Sequence, residues 1–258
     1  MNFYWQASEI IEPRNVTHGM METRTFSNYW DYFDKFFCIT LAERPDRQES
    51  AKIQFDKVGL ADKVEFLIVN RHRSNCEQGI YESHLICIQK GIQAGADSIV
   101  IFEDDILFDR FSPARLKNCI DFLSLHSDWN ALFFGCLVSG SKRTWNNSIL
   151  KVKYRSLSHA YVLNRKFAEV MVKRPWQEIA YDEFLDSFNE AYYAIYPSFA
   201  FQSNSPSDNS KYLRLDKFRR LCGGLQRIQK GNEWFFHHKT GIIAFHILLV
   251  IFGVLWVL

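Results

Sequence analysis

Two kinds of hydrophobic pattern alternate along the first half of the chain. Short runs that are apolar on both faces occur at 35–40, 64–69, 98–102 and 131–137. They predict buried strands of a largely parallel sheet, because a strand with water on one face would alternate polar with apolar residues. Between them apolar residues recur at helical spacing. Pro45 and Asp46 open one such stretch, which runs to about Val58. Cys76 opens another that carries Leu85, Ile88 and Ile92 and ends at Gly91 and Gly95. Ser112 and Pro113 supply an N-cap and a first-turn proline for a third, ending near Ser124. This alternation predicts βαβ units.

The second half is looser. Alternating stretches at 149–154 and 159–163 predict strands, 165–173 a helix, 180–186 a helical turn, 193–196 a short strand and 203–210 a polar loop. The expected architecture is a single α/β domain with a mixed sheet over 34–215, preceded at 1–33 by an extension without sustained period. Residues 216–241 are rich in Lys, Arg and His and read as a basic linker. Residues 242–258 are apolar except for His246 and Gly253, and lack the polar stripe of a core helix. Their length is near the minimum that spans a bilayer. With basic residues from Lys217 to Lys239 before it, the segment predicts a single-pass C-terminal anchor that leaves the domain on the cytoplasmic side and touches membrane lipid through helix and basic flank.

Composition narrows the classes. Hydrophobic residues at 47%, with 23 Phe, are enough for a large core, and a net charge of +2 is too balanced to suggest nucleic acid, so no nucleic-acid partner is expected. The six cysteines are scattered without a C-x-x-C pair; Cys38, Cys87 and Cys136 lie in apolar runs and read as buried thiols of a reducing compartment. The first residues lack the basic-then-apolar order of a signal peptide, so the sequons at Asn15 and Asn146 carry no expectation of glycosylation.

The chemistry concentrates at Glu103, Asp104 and Asp105, which follow directly on the apolar run at 99–102. In an open α/β sheet, ligands bind at the carboxyl ends of the strands. Three adjacent carboxylates repel one another unless something cationic sits among them, and a hard Mg²⁺ or Mn²⁺ ion carrying a phosphate is the natural partner. Without such an ion the same acids merely solubilise a loop or cap a helix. Arg44 and Arg47 are either phosphate contacts or a solvated helix start, His84 is a ligand-side or a structural histidine, and Asp182 is a base or a helix-surface acid.

Several marks stand together: Ile39, Thr40, Leu41, Arg44, Pro45 and Arg47; then Glu77, Gly79, Tyr81, Ser83 and His84; then Glu103 to Asp105; then Tyr181 and Asp182; and further on Pro197, Ser198, Gln202, Ser207 and Asp208. In that order and spacing, over about 35–210, they resemble glycosyltransferase family 25, which includes bacterial lipopolysaccharide sugar transferases and the collagen galactosyltransferases. The resemblance implies a GT-A fold, that is, a Rossmann-like mixed sheet with one nucleotide-sugar site. It also implies a UDP-hexose donor (galactose or glucose), Mn²⁺ or Mg²⁺, inverting transfer, and a glycan or glycolipid acceptor of the lipopolysaccharide or lipooligosaccharide type. By position, Asp105 would be the direct metal ligand, with Asp104 and Glu103 as further ligands or donor contacts. Arg44, Arg47, Asn70, Ser83, His84, Gln202 and Asp208 would line the donor, and Asp182 would take the acceptor proton. The chain departs from the family pattern at Ile80, at the basic stretch from Asn70 to Arg73, and at Asn209. A catalytically silent binding or adhesion module is the competing expectation, which intact acids disfavour. A metal-dependent phosphoesterase is disfavoured by the lack of paired His and Asp ligands.

Overall fold

In the computed structural model, which describes residues 28–188, 190–203 and 223–257, the buried apolar runs become β1 (Lys35–Leu41), β2 (Val64–Val69) and β3 (Ser98–Glu103). They pair in parallel with β1 in the middle. The crossovers are α1 (Pro45–Lys57) and α2 (Cys76–Gln93); Asn75 caps α2 by accepting from the Glu77 and Gln78 amides. Each of these strands is apolar on both sides because each face meets its own core. Val100 and Phe102 pack with Trp30, Phe55 and Phe134, while Ile99 and Ile101 pack on the other side with Ile88, Phe133 and Tyr161. Trp30 is core although it lies in the stretch expected as an extension: its Nε1 donates to the Val58 carbonyl at 2.8 Å. Residues 1–27 lie outside the described residues.

β4 (Ile106–Phe108) and α3 (Pro113–Leu125) follow, with Ser112 as the N-cap. The expected strand at 131–137 is broken in two. β5 (Ala131–Phe133) stays in the sheet, and β6 (Leu137–Arg143) begins a hairpin with β7 (Ile149–Ser156). The break has a tertiary cause. The Phe134 carbonyl accepts from the Phe199 and Ala200 amides, and at Gly135 a Cβ would lie 1.9 Å from the Ala200 carbonyl oxygen. β8 (Ala160–Asn164), α4 (Arg165–Met171), α5 (Tyr181–Phe188) and β9 (Tyr192–Ile195) complete the sheet, whose order is β2–β1–β3–β8–β5–β9–β7–β6. β8 is antiparallel to both of its neighbours, so the sheet is mixed, as expected. β10 (Ala200–Gln202) pairs with β4 in a separate ladder.

The last element, α6 (Leu225–Val257), runs through the stretch expected as a basic linker over 216–241, of which residues up to 222 lie outside the described residues. From Leu225 onward this stretch is helix, and it is docked. Gln229 Nε2 donates to the Ala200 carbonyl at 2.9 Å, and Asn232 bonds both the N–H and the carbonyl of Val138 at 3.0 Å each. Glu233 accepts from the Ser198 amide at 3.0 Å, and Lys230 reaches Asp109 at 2.6 Å. These polar ties sit on one helix face, which a count of basic residues along the chain does not register. The second half of α6 leaves its apolar side chains exposed, from Ile243 through Val254. By length and composition the helix is able to cross a membrane.

The glycines yield a test. At Gly91 an added Cβ would meet the buried, branched side chain of Ile99 at 2.5 Å, and at Gly135 it would meet backbone at 1.9 Å, which yields less than a side chain does. Gly135→Ala should therefore lower unfolding stability by about 1–3 kcal/mol, and Gly91→Ala by less, as read from denaturant midpoints. Equal losses would contradict the close approach at Gly135.

Candidate active site

A cavity of about 510 Å³ opens at the carboxyl ends of β1, β2 and β3, within the size range of small-ligand sites. Its wall is completed by the first turns of α2, the Asp104–Asp105 turn between β3 and β4, the loop from β7 to β8, the start of α5, the end of β10, and Leu225 at the start of α6.

The three consecutive acids do not converge. Side chains alternate in direction at a strand end, and each acid finds different company. Asp104 turns to the α1 side, where Thr40 Oγ1 donates to Oδ2 at 2.7 Å and Arg47 Nη1 to Oδ1 at 3.2 Å. Glu103 points the other way; Ser158 Oγ donates to its Oε1 at 3.2 Å, and His84 Nε2 lies 3.5 Å from the same oxygen. Asp105 Oδ1 is buried and has no hydrogen-bond partner. Among the described residues no three His, Cys, Asp or Glu side chains are grouped to hold a metal by themselves. Of the three acids, Asp105, expected as the direct ligand, keeps one open carboxylate oxygen, while Asp104 is paired with Arg47.

Burial first, and then its carboxylate neighbours, raise the proton affinity of both remaining acids: Asp182 acts on Glu103, which rises to about 7, and Glu103 acts on Asp105, which rises to about 8. His84 is pushed the opposite way, to about 3, because it is enclosed in α2 against β8 and α5. It is therefore a neutral imidazole and its contact with Glu103 is not an ion pair. Its ring stacks on Tyr181 with centroids 3.9 Å apart, and its Nδ1 lies 2.9 Å from the Tyr161 hydroxyl, which lies 2.7 Å from that of Tyr181. The tautomer that presents Nε2–H to Glu103 leaves Nδ1 to accept from Tyr161.

Asp182 lines the cavity, but its oxygens are occupied. The Tyr154 hydroxyl (2.6 Å) and the Ser158 amide (3.1 Å) donate to Oδ1, and the Leu157 amide (3.1 Å) donates to Oδ2. These bonds hold Leu157 at φ 76°, a left-handed backbone that a branched side chain adopts only when its surroundings enforce it. Asp182 is thus placed as the clamp of the β7–β8 loop, not as an open base. Arg47, Asn70, Ser83 and Gln202 also line the cavity, although the Ser83 hydroxyl donates back to Gly79 O at 2.6 Å. Arg44 is not among the lining residues; it forks onto Asp46 at 3.0 and 2.8 Å. Asp208 lies outside the described residues. Thr40 and Ser158, which orient two of the acids, were not singled out as site residues from the sequence; a small hydroxyl at a strand end is too common a feature to mark one.

No protein-family model and no curated protein matches the sequence. Similar solved structures include A197 from STIV (10% identity, 65% of this chain and 84% of that one, TM-score 0.41). They also include a glycosyltransferase involved in the glycosylation of the major capsid of PBCV-1 (9%, 73% and 100%, TM-score 0.39) and HddC from Yersinia pseudotuberculosis (13%, 65% and 72%, TM-score 0.35). At this level of similarity none of them identifies what the chain does.

Two outcomes follow from this geometry. In the folded chain Glu103 and Asp105 keep protons that an unfolded chain releases near 4.5 and 3.8, so each lowers stability as pH rises towards 7 and 8. His84 and His159, held down to about 3 and about 4 by burial, act oppositely, adding stability as pH rises through their unfolded value of 6.5. The pairs offset below about pH 6.5, and the acids act alone above it. Melting temperature measured in EDTA should therefore be nearly level from pH 5 to 6.5 and fall from there to pH 8, with a smaller fall in Asp105→Asn. A rise across the upper window would contradict these shifts. The second outcome concerns the clamp. Asp182→Asn replaces an acceptor with an amide that faces donors, and should cost about 1.5–3 kcal/mol in denaturant unfolding; an unchanged midpoint would return Asp182 to the list of free acids.

Proposed function

We propose that the cleft takes a nucleotide-sugar donor and that the chain is a membrane-anchored glycosyltransferase, moving a hexose from a UDP-sugar to a glycan or glycolipid acceptor. The observation that carries this reading is Asp105 Oδ1, a buried carboxylate oxygen without a donor on the wall of a nucleotide-sized cavity. A hard divalent ion, Mn²⁺ or Mg²⁺, takes such an oxygen as a ligand. Asp105 would hold it, with Glu103 contributing negative charge from the same side. Bound there, the ion would offset the charge that builds on the departing diphosphate.

The chain's own groups divide the remaining work. Arg47 keeps Asp104 neutralised and adds positive charge where donor phosphates would lie. Ser158 and neutral His84 orient Glu103 through Oε1. With Asp182 committed to three donors, Glu103 is the acid better placed to accept the proton of an acceptor hydroxyl, as an inverting transfer requires. The motifs resembling family 25 support galactose or glucose as the sugar and a lipopolysaccharide-type acceptor. The exposed apolar half of α6 supports anchoring, and the basic residues before it support a cytoplasmic face.

Asp105→Ala tests the reading. It removes a repelling acid, so the fold should survive while Mn²⁺-dependent UDP binding, read by calorimetry, weakens at least tenfold, about 1.4 kcal/mol, and release of sugar from UDP-hexose stops. EDTA should do the same to the unaltered protein. UDP binding indifferent to both EDTA and Asp105→Ala would sink the metal site. Metal-dependent binding without any turnover of UDP-hexoses would identify a silent relative.

A further inference from the structure

The β6–β7 hairpin carries Lys142, Arg143, Lys151, Lys153 and Arg155, and the sequence has no acidic residue between 137 and 156. On β7 the inward Leu150, Val152 and Tyr154 are buried while the outward Lys151, Lys153 and Arg155 are exposed. Lys142 stands directly opposite Lys151 in the ladder, a like-charge pair that costs stability. Of the five cations, only Arg155 has an acidic partner among the described residues, Asp186 at 3.3 Å. At the tip, Trp145 is 63% exposed; one face of its ring lies against Phe122 and His126, with centroids 5.5 and 6.1 Å away, and the rest is uncovered.

The position of this tip matters. β6 runs alongside α6: Val138 is tied to Asn232, and Arg143 Nη2 lies 3.1 Å from His237 Nε2, whose ring stacks on Tyr196. The tip therefore reaches the point where α6 leaves the domain, one to two turns before Ile243 begins its exposed apolar half. Lysine on an edge strand also discourages strand addition, which accounts for Lys142 but not for a bare tryptophan beside it. Tryptophan favours the headgroup level of a bilayer, and lysine and arginine there gain about 1 kcal/mol each from anionic lipid.

We propose that the hairpin tip, with Trp145 and the cations Lys142, Arg143 and Lys151, is a second membrane contact seated in an anionic headgroup layer beside the anchor; this rests on α6 being a membrane helix. Two contacts remove the free rotation that one helix would allow. They hold the cleft, which Leu225 lines, at a set place up to about 25 Å from Ile242 along the helix axis.

The test uses the full chain reconstituted in phosphatidylglycerol–phosphatidylcholine vesicles. Retention after carbonate washing reports the anchor, and extraction would overturn both readings. In retained protein, the emission lost in Trp145→Phe isolates Trp145. Lipid brominated near the glycerol end should at least halve that component, acrylamide should barely touch it, and Lys142→Glu/Lys151→Glu should reverse both effects. A component open to acrylamide and untouched by brominated lipid overturns the contact while leaving the anchor standing. One shielded from both quenchers also overturns it, since protein and not lipid then covers the tip. Should Trp145→Phe fail to fold, a nitroxide placed at exposed Asn147 reads the same depth by its accessibility to oxygen against aqueous nickel, and water-level accessibility overturns the contact.

Discussion

Everything around the cleft answers to one electrostatic constraint: three carboxylates leave a buried strand in succession, and a low-dielectric interior does not tolerate them together. The chain separates them. Strand alternation sends Asp104 towards α1, where Arg47 and Thr40 receive it, and Glu103 towards α2 and β8, where neutral His84 and Ser158 do. Asp105 is left with a buried, unpartnered oxygen. The order of the sheet follows suit, since β1 supplies Thr40, the crossover after it supplies Arg47, and the antiparallel β8 brings Ser158 to the same edge.

The loop that precedes β8 is built to the same end. Leu157 occupies a strained backbone position, and Asp182 holds it there with bonds to two successive amides. That clamp fixes Ser158, and Ser158 fixes Glu103. The acid proposed to react is thus positioned by another acid, through a loop whose strain is offset by charge-assisted hydrogen bonds.

α6 joins this cleft to the outside of the domain. Its first turn lines the cavity, its next turns are bound to the backbone of Ala200, Val138 and Ser198, and its apolar side chains from Ile243 to Phe252 are uncovered. A continuous helix with one end docked transmits orientation as a flexible linker does not. Whatever holds the far end therefore also sets the direction in which the cleft faces.

The sequence by itself determined the elements whose causes are local. The two-sided runs at 35–40, 64–69 and 98–102 became β1, β2 and β3; Ser112 became a cap, and Pro45 a first turn. The acidic strand end, which lines the cleft, was legible as a candidate site for the same reason, since a carboxylate cluster beside a buried strand is visible in one dimension. Tertiary structure decided the rest. Gly135 splits an apolar run because the backbone of Ala200 lies against it, and no periodicity records an approach from 65 residues away along the chain. Asp182 looked like a free acid until three donors from β7 and the loop after it closed on its oxygens. Which of three equivalent carboxylates stays open depended on what Arg47, Ser158 and His84 reached first. Partners of that kind are set by the packing of helices against the sheet, a property that hydrophobic patterning specifies by face but not by atom.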